Sequence, residues 1–149
     1  MLRGIGVAVA GSLAVVAGCG GSGSNPGVDG GVKPVDGGAG ACPTGDLCLD
    51  ITKAPYTALK TVGNSVLVNT SAGQLIVVRS SATAVEALAS ACTHQGVTVS
   101  YDSGAMQLVC FAHGATFALS GAVTGSPANR PLKSYVTTLA GNIITIKLV

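Results

Sequence analysis

Residues 92–114 read CTHQGVTVSYDSGAMQLVCFAHG, and the rest of the chain is best read outward from them. The stretch opens on Cys92-Thr93-His94-Gln95-Gly96 and closes on Cys110-Phe111-Ala112-His113-Gly114. Fifteen residues separate His94 from Cys110. Within that gap Val99 to Tyr101 and Met106 to Val109 flank Asp102-Ser103-Gly104, the signal of a β-hairpin. One Cys-x-His pair and one Cys-x-x-His pair therefore stand on either side of a hairpin. Each segment ends in glycine, which suits a loop tip where the backbone turns tightly.

Moving outward, the same texture repeats. Ser65 to Asn69 and Leu75 to Arg79 flank Ser71-Ala72-Gly73, and Tyr135 to Leu139 and Ile143 to Leu148 flank Ala140-Gly141-Asn142. In the last run Ile144, Ile146 and Leu148 alternate with Thr145 and Lys147, giving one inward and one outward face. Thr83 to Leu88 reads as a helical turn or two. Short strands at close spacing with glycine turns predict an all-β domain, a small antiparallel sandwich or barrel, over residues 42–149.

A chain of 149 residues has room for one such domain and little more. A net charge of +2 gives no electrostatic case for nucleic-acid binding. With only two histidines, His94 and His113, no site built on three is possible. No apolar run is long enough to span a bilayer as a helix.

The first 41 residues stand apart. Met1 to Arg3 is a short cationic start, and Ile5 to Ala17 is apolar but too short for a membrane span. It runs into Val16-Ala17-Gly18-Cys19. This resembles a bacterial lipoprotein signal, so residues 1–18 are expected to be removed as a signal peptide and Cys19 to carry lipid. The protein would then be exported and anchored to a bacterial membrane without spanning it, facing the periplasm or the cell exterior. Gly20 is not acidic, which in that family implies no retention at the inner membrane. Met1-Leu2-Arg3-Gly4 is also similar to the tail of a twin-arginine export signal, which would place the true start upstream. Residues 20–41 hold nine glycines and two Val-Asp-Gly-Gly repeats, so 19–41 reads as a disordered tether. As a flexible coil it would reach roughly 25 Å root-mean-square.

Five cysteines remain to be placed. Cys19 goes to lipid. Cys42 and Cys48 lie close in sequence at the domain edge of an exported chain, and a disulfide between them is expected. Cys92 and Cys110 are left, each beside a histidine. Thiolate with imidazole suits zinc or iron–sulfur chemistry. A zinc finger usually groups cysteine with cysteine and histidine with histidine, whereas here each segment mixes one of each, which suits a dinuclear cluster.

The pattern C-x-H, fifteen residues, C-x-x-H resembles the Rieske 2Fe–2S family. The resemblance extends to Ala87–Ala91, similar to the strand that feeds the first loop. It also takes in Gly125-Ser126-Pro127-Ala128-Asn129-Arg130-Pro131-Leu132 with Tyr135, similar to the family's proline loop. It implies a Rieske-type fold whose cluster-binding part covers about 90–132. Cys92 and Cys110 would hold one iron, and His94 and His113 the other. The chain departs from the family at several positions. Val97 and Ala112 stand where many members carry a loop-bracing disulfide. Ala115 and Phe117 stand where high-potential members place serine and tyrosine hydroxyls, and Phe111 replaces a common proline. Missing donors to sulfur imply a potential in the lower or middle Rieske range.

The function so implied is one-electron transfer with a redox protein as partner. A self-sufficient oxygenase would need a second iron site, for which no histidine remains. Two further readings are a Rieske subunit of a quinol-oxidising cytochrome bc-type complex and a metal-bound structural module without redox activity. Arg130 and Lys133 hint at a mildly positive docking face.

Overall fold

The computed structural model describes Cys42 and residues 45–149. The expected signal peptide (1–18), lipidated Cys19 and tether (19–41) lie outside the described residues. In chain order the strands are β1 (Asp46–Asp50), β2 (Ser65–Thr70), β3 (Gly73–Val78), β4 (Glu86–Ala89), β5 (Ser100–Asp102) and β6 (Gln107–Cys110). They continue with β7 (Ala115–Ala118), β8 (Val123–Gly125), β9 (Ser134–Tyr135), β10 (Thr137–Ala140) and β11 (Ile143–Lys147). A short 3-10 turn, Tyr56–Lys60, lies between β1 and β2.

These strands form three sheets, ordered β1-β11-β10, β2-β3-β4-β9 and β5-β6-β7-β8, and every pairing is antiparallel. The expected all-β antiparallel class holds. The middle sheet has a core on each face, and the reason is written in β3. Leu75, Ile76, Val77 and Val78 are all buried, and successive residues of a strand face opposite sides. Leu75 and Val77 pack with Leu49, Leu59, Ile144 and Ile146. Ile76 and Val78 pack with Leu108, Phe117, Cys92 and Cys110. The sheet of β2, β3, β4 and β9 is thus a shared wall, with the β1-β11-β10 sheet on one side and the sheet carrying both cysteine–histidine segments on the other.

The three expected hairpins form, with two differences. Thr83 to Leu88 does not turn into helix. Glu86–Ala89 is β4, paired with Leu75–Val78 on one side and, through Ala87, with Tyr135 on the other. Glu, Ala and Leu favour helix intrinsically, but Ala87 and Leu88 are buried on opposite faces of the wall, which only an extended strand allows. The run from Tyr135 to Leu139 also divides. Tyr135 pairs with β4, whereas Thr137–Ala140 pair with β11. The exposed Val136 is the step between sheets. Cys42 and Cys48 are joined in the expected disulfide.

Candidate metal centre

Two loops of similar construction carry the donors. β4 ends at Ala89, and Ser90 then receives the N–H of Val99 on its carbonyl at 2.8 Å while Ala91 bridges Thr98. The chain between is drawn into a tight loop. Cys92 N–H donates to Val97 O at 2.8 Å, and Gly96 N–H donates back to Cys92 O at 2.7 Å. Gly96 has φ +74°, a conformation side chains disfavour. The second loop leaves β6 at Cys110 and re-enters as β7 at Ala115, the residue opposite Cys110 in the ladder. Gly114 N–H reaches Cys110 O at 2.8 Å, with φ +78° at Gly114. The glycine closing each segment is what the turn requires.

The loops bring like donors together. Cys92 is 2% exposed and Cys110 0%, both are free thiols in one core, and Cys92 lies near enough to perturb Cys110. Burial, then the contact with Cys92, pushes the Cys110 thiol up, while the backbone N–H groups of Ala112 and His113 pull it down. A thiol buried as Cys110 is resists ionisation unless a cation is present to take the thiolate. His94 and His113 are exposed, with ring centroids 4.8 Å apart and planes at 85°. Each loop supplies one donor of each kind, yet the side chains sort into a buried sulfur pair and an outer imidazole pair. Among the described residues no three His, Cys, Asp or Glu side chains gather at one point as a single-metal site needs. The set divides two and two, which fits a dinuclear group with sulfur ligands on one metal and nitrogen ligands on the other.

A third segment closes the arrangement. Gly121 donates to Ala118 O and accepts from Leu132 N–H, both at 2.9 Å, so residues 122–131 leave and return at one point. Ala128 and Leu132 are buried in the same core as Cys92 and Cys110. Thr93 Oγ1 donates to Arg130 O at 2.6 Å and ties this segment to the first donor loop. Sequence reading gave Thr93 no role, since its partner lies 37 residues away. Val97, Ala112 and Phe111 all stand exposed, Phe111 at 77%. Ala115 and Phe117 are fully buried. Lys133 lies 4.7 Å over the Tyr135 ring.

Residues 51–136, more than half of the chain, match the family model of the Rieske [2Fe-2S] domain. Over 63 residues the chain is 35% identical to the cytochrome b6-f complex iron-sulfur subunit of Chlorobaculum thiosulfatiphilum, a match covering 42% of this chain and 35% of that protein. The chain thus matches little more than a third of that relative's length. Among solved structures it resembles the plasma membrane Rieske protein PetC3 of Synechocystis PCC 6803. The identity is 36% and the TM-score 0.52, over 56% of this chain and 85% of that one. The ferredoxin of carbazole 1,9a-dioxygenase from Nocardioides aromaticivorans IC177, at 21% identity, 58% and 86% coverage and a TM-score of 0.52, shares the fold. The matched span takes in both donor loops and the segment packed beside them, and the donors pair as a dinuclear cluster requires: the chain belongs to the Rieske [2Fe-2S] domain family, and its cofactor is a 2Fe–2S cluster.

Proposed function

We propose that this Rieske domain is the head of a membrane-tethered, extracytoplasmic one-electron carrier. In this reading residues 1–18 are a lipoprotein signal peptide, Cys19 bears the lipid, 19–41 are the tether and 42–149 the redox domain. Cys92 and Cys110 hold one iron and His94 and His113 the other. The observation that carries the electron-transfer site is the sorting of donors, with thiols buried together and imidazoles together at the surface. The cluster, when bound, takes up and returns one electron. The chain supplies the rest. The thiols lie beneath an apolar layer that keeps water from the sulfurs. The exposed histidines offer a partner the shortest approach, and the hydrogen-bonded loops limit movement between oxidation states.

One feature supports export and another supports membrane attachment. The Cys42–Cys48 disulfide belongs in an oxidising compartment, and the similar PetC3 is a plasma membrane Rieske protein. The reading predicts that Cys110→Ser or His94→Ala abolishes the cluster's visible and paramagnetic-resonance spectra. A full Rieske spectrum from His94→Ala would sink the ligand assignment. Cys19→Ser should move the protein from the membrane to the soluble extracytoplasmic fraction, and continued membrane retention would count against the lipid anchor.

A second reading, a subunit of a quinol-oxidising complex, is favoured by the likeness to the cytochrome b6-f subunit. The absence of hydroxyl donors at Ala115 and Phe117 argues for a lower potential than quinol oxidation needs. Quinol-dependent reduction of the purified protein in the presence of its complex separates the two.

A further inference from the structure

No disulfide links the two donor loops, because Cys92 and Cys110 are free thiols and neither Val97 nor Ala112 carries sulfur. The first loop is held in another way. Gln74, near the start of β3 in the central sheet, faces both ends of that loop. Its Oε1 accepts from Ser90 Oγ at 3.0 Å, just before the loop, and from Thr98 Oγ1 at 3.4 Å, just after it. Its Nε2 donates to Asn69 Oδ1 at 3.1 Å, which fixes the orientation of the amide and aims the oxygen at the two hydroxyls. The Gln74 carbonyl also receives the Ser90 N–H at 3.0 Å, with Ser90 Oγ at the same distance. Ser90 is only 1% exposed, so its bonds to Gln74 are shielded from bulk water, while the Thr98 bond lies at the exposed rim of the loop.

The consequence follows from the covalent geometry. Cys92 and His94 lie two and four residues beyond Ser90, inside a loop whose base is the Ala91–Thr98 bridge. Whatever fixes Ser90 and Thr98 fixes the platform on which both donors stand. We propose that Gln74 is a positioning residue for the cluster, a side-chain bracket clamping both ends of the first donor loop to the central sheet where no loop disulfide does so. This rests on the reading of Cys92 and His94 as ligands. Residues that orient metal ligands from behind commonly alter metal affinity by about 10–100-fold when removed.

The test uses the full-length cluster-loaded protein and Gln74→Ala, Gln74→Glu and Thr70→Val variants. Gln74→Ala removes the bracket. Gln74→Glu keeps an oxygen for both hydroxyls. Thr70→Val removes two hydrogen bonds of the same β2–β3 hairpin, to Gly73 O and from Ala72 N–H, without touching the loop. Three quantities are read: the paramagnetic-resonance spectrum of the reduced protein, the lifetime of its visible spectrum under an iron chelator, and the Tm. Gln74→Ala should shift the resonance spectrum and shorten the lifetime about tenfold, Gln74→Glu should recover most of both, and Thr70→Val should lower the Tm alone. If Gln74→Ala does not fold, Thr98→Val, which removes only the loop-side bond, should shift the spectrum in the same direction by less. An unaltered spectrum and lifetime in Gln74→Ala would overturn the proposal, as would a Gln74→Glu no better than Ala or a Thr70→Val that reproduces the effect. Failure of the ligand reading is distinct, since it shows in the unmutated bracket as a Rieske spectrum surviving His94→Ala.

Discussion

Ala115 is the residue opposite Cys110 in the β6–β7 ladder, fully buried, and it offers the sulfur nothing but a methyl group. A hydroxyl there would be placed beside the Cys110 thiolate. A reduced cluster carries one more negative charge than an oxidised one, so a donor to sulfur stabilises the reduced form and raises the potential. A neutral hydrogen bond of about 0.7 kcal/mol corresponds to about 30 mV for one electron. Ala115→Ser is therefore expected to raise the potential by about that amount in protein-film voltammetry, and an unchanged or lowered value with the cluster intact would contradict this. Asp50 shows a residue acting on stability instead. Its carboxylate accepts from Thr52 Oγ1 at 2.6 Å and Thr52 N–H at 2.9 Å, with Lys53 Nζ 3.6 Å away. The Thr52 hydroxyl first, then its N–H, holds the carboxyl below the ordinary value of 3.8 despite burial, and Lys53 adds to the effect. A carboxyl whose folded pKa is depressed binds its proton more weakly folded than unfolded, so it stabilises the fold above 3.8 and loses that contribution as pH falls through the folded value. The stability advantage of the parent over Asp50→Asn should be present at neutral pH and vanish on the acid side of that range. Urea titrations at neutral and strongly acidic pH check it, and a pH-independent difference would count against the linkage.

The segment between β7 and β9 depends on one glycine. Gly121 has φ +90°, and a Cβ built on it would collide with the Leu132 carbonyl, whose own N–H closes the segment onto Gly121 O. Gly121→Ala thus pays a left-handed backbone and a steric clash together, a cost of about 1–3 kcal/mol. The expected result is a lower Tm with faster proteolysis within 122–131, because the clash parts the two ends of that segment; cleavage confined to other loops would disprove the mechanism. Which elements the sequence revealed follows from the same local-versus-distant distinction. The donor loops were legible because their spacing, glycines and intervening hairpin all lie within 92–114. The β11 alternation was legible because Ile144 and Ile146 point to a single core. β4 was legible only through the family resemblance, which placed a strand at Ala87–Ala91; by propensity Thr83 to Leu88 reads as helix, and the segment becomes a strand through Leu75–Val78 on one side and Tyr135 on the other. The contacts behind the site were hidden. Ser90 and Thr98 reach Gln74 across 16 and 24 residues, and a hydrogen bond at such separation leaves no periodic mark in a sequence.

At the scale of the molecule, the central sheet keeps two kinds of cysteine chemistry apart. Cys92 and Cys110 belong to the core on one of its faces. The disulfide belongs to the other side: Cys48 lies in β1 opposite Thr145, next to Leu49, which packs into the other core. Because neighbours in a strand face opposite ways, Cys48 points outward from that core, and its bond to Cys42 lies on the outer side of the β1-β11-β10 sheet. Structural effects at sites with no shared partners add independently, so cutting this disulfide should be felt in stability and not in redox behaviour. Its ring spans a sequence separation of 6, and chain-entropy arguments give such a small ring about 2 kcal/mol, or roughly 8 °C in Tm for a domain of this size. The paired variant Cys42→Ser with Cys48→Ser is therefore expected to show the parent absorption, resonance spectrum and potential, with a Tm lower by roughly 8 °C when unfolding is followed by circular dichroism. A shift in potential would show that strain crosses the central sheet to the thiols. An unchanged Tm would mean that ring closure contributes nothing to the fold and that the disulfide's role is confined to the segment before β1.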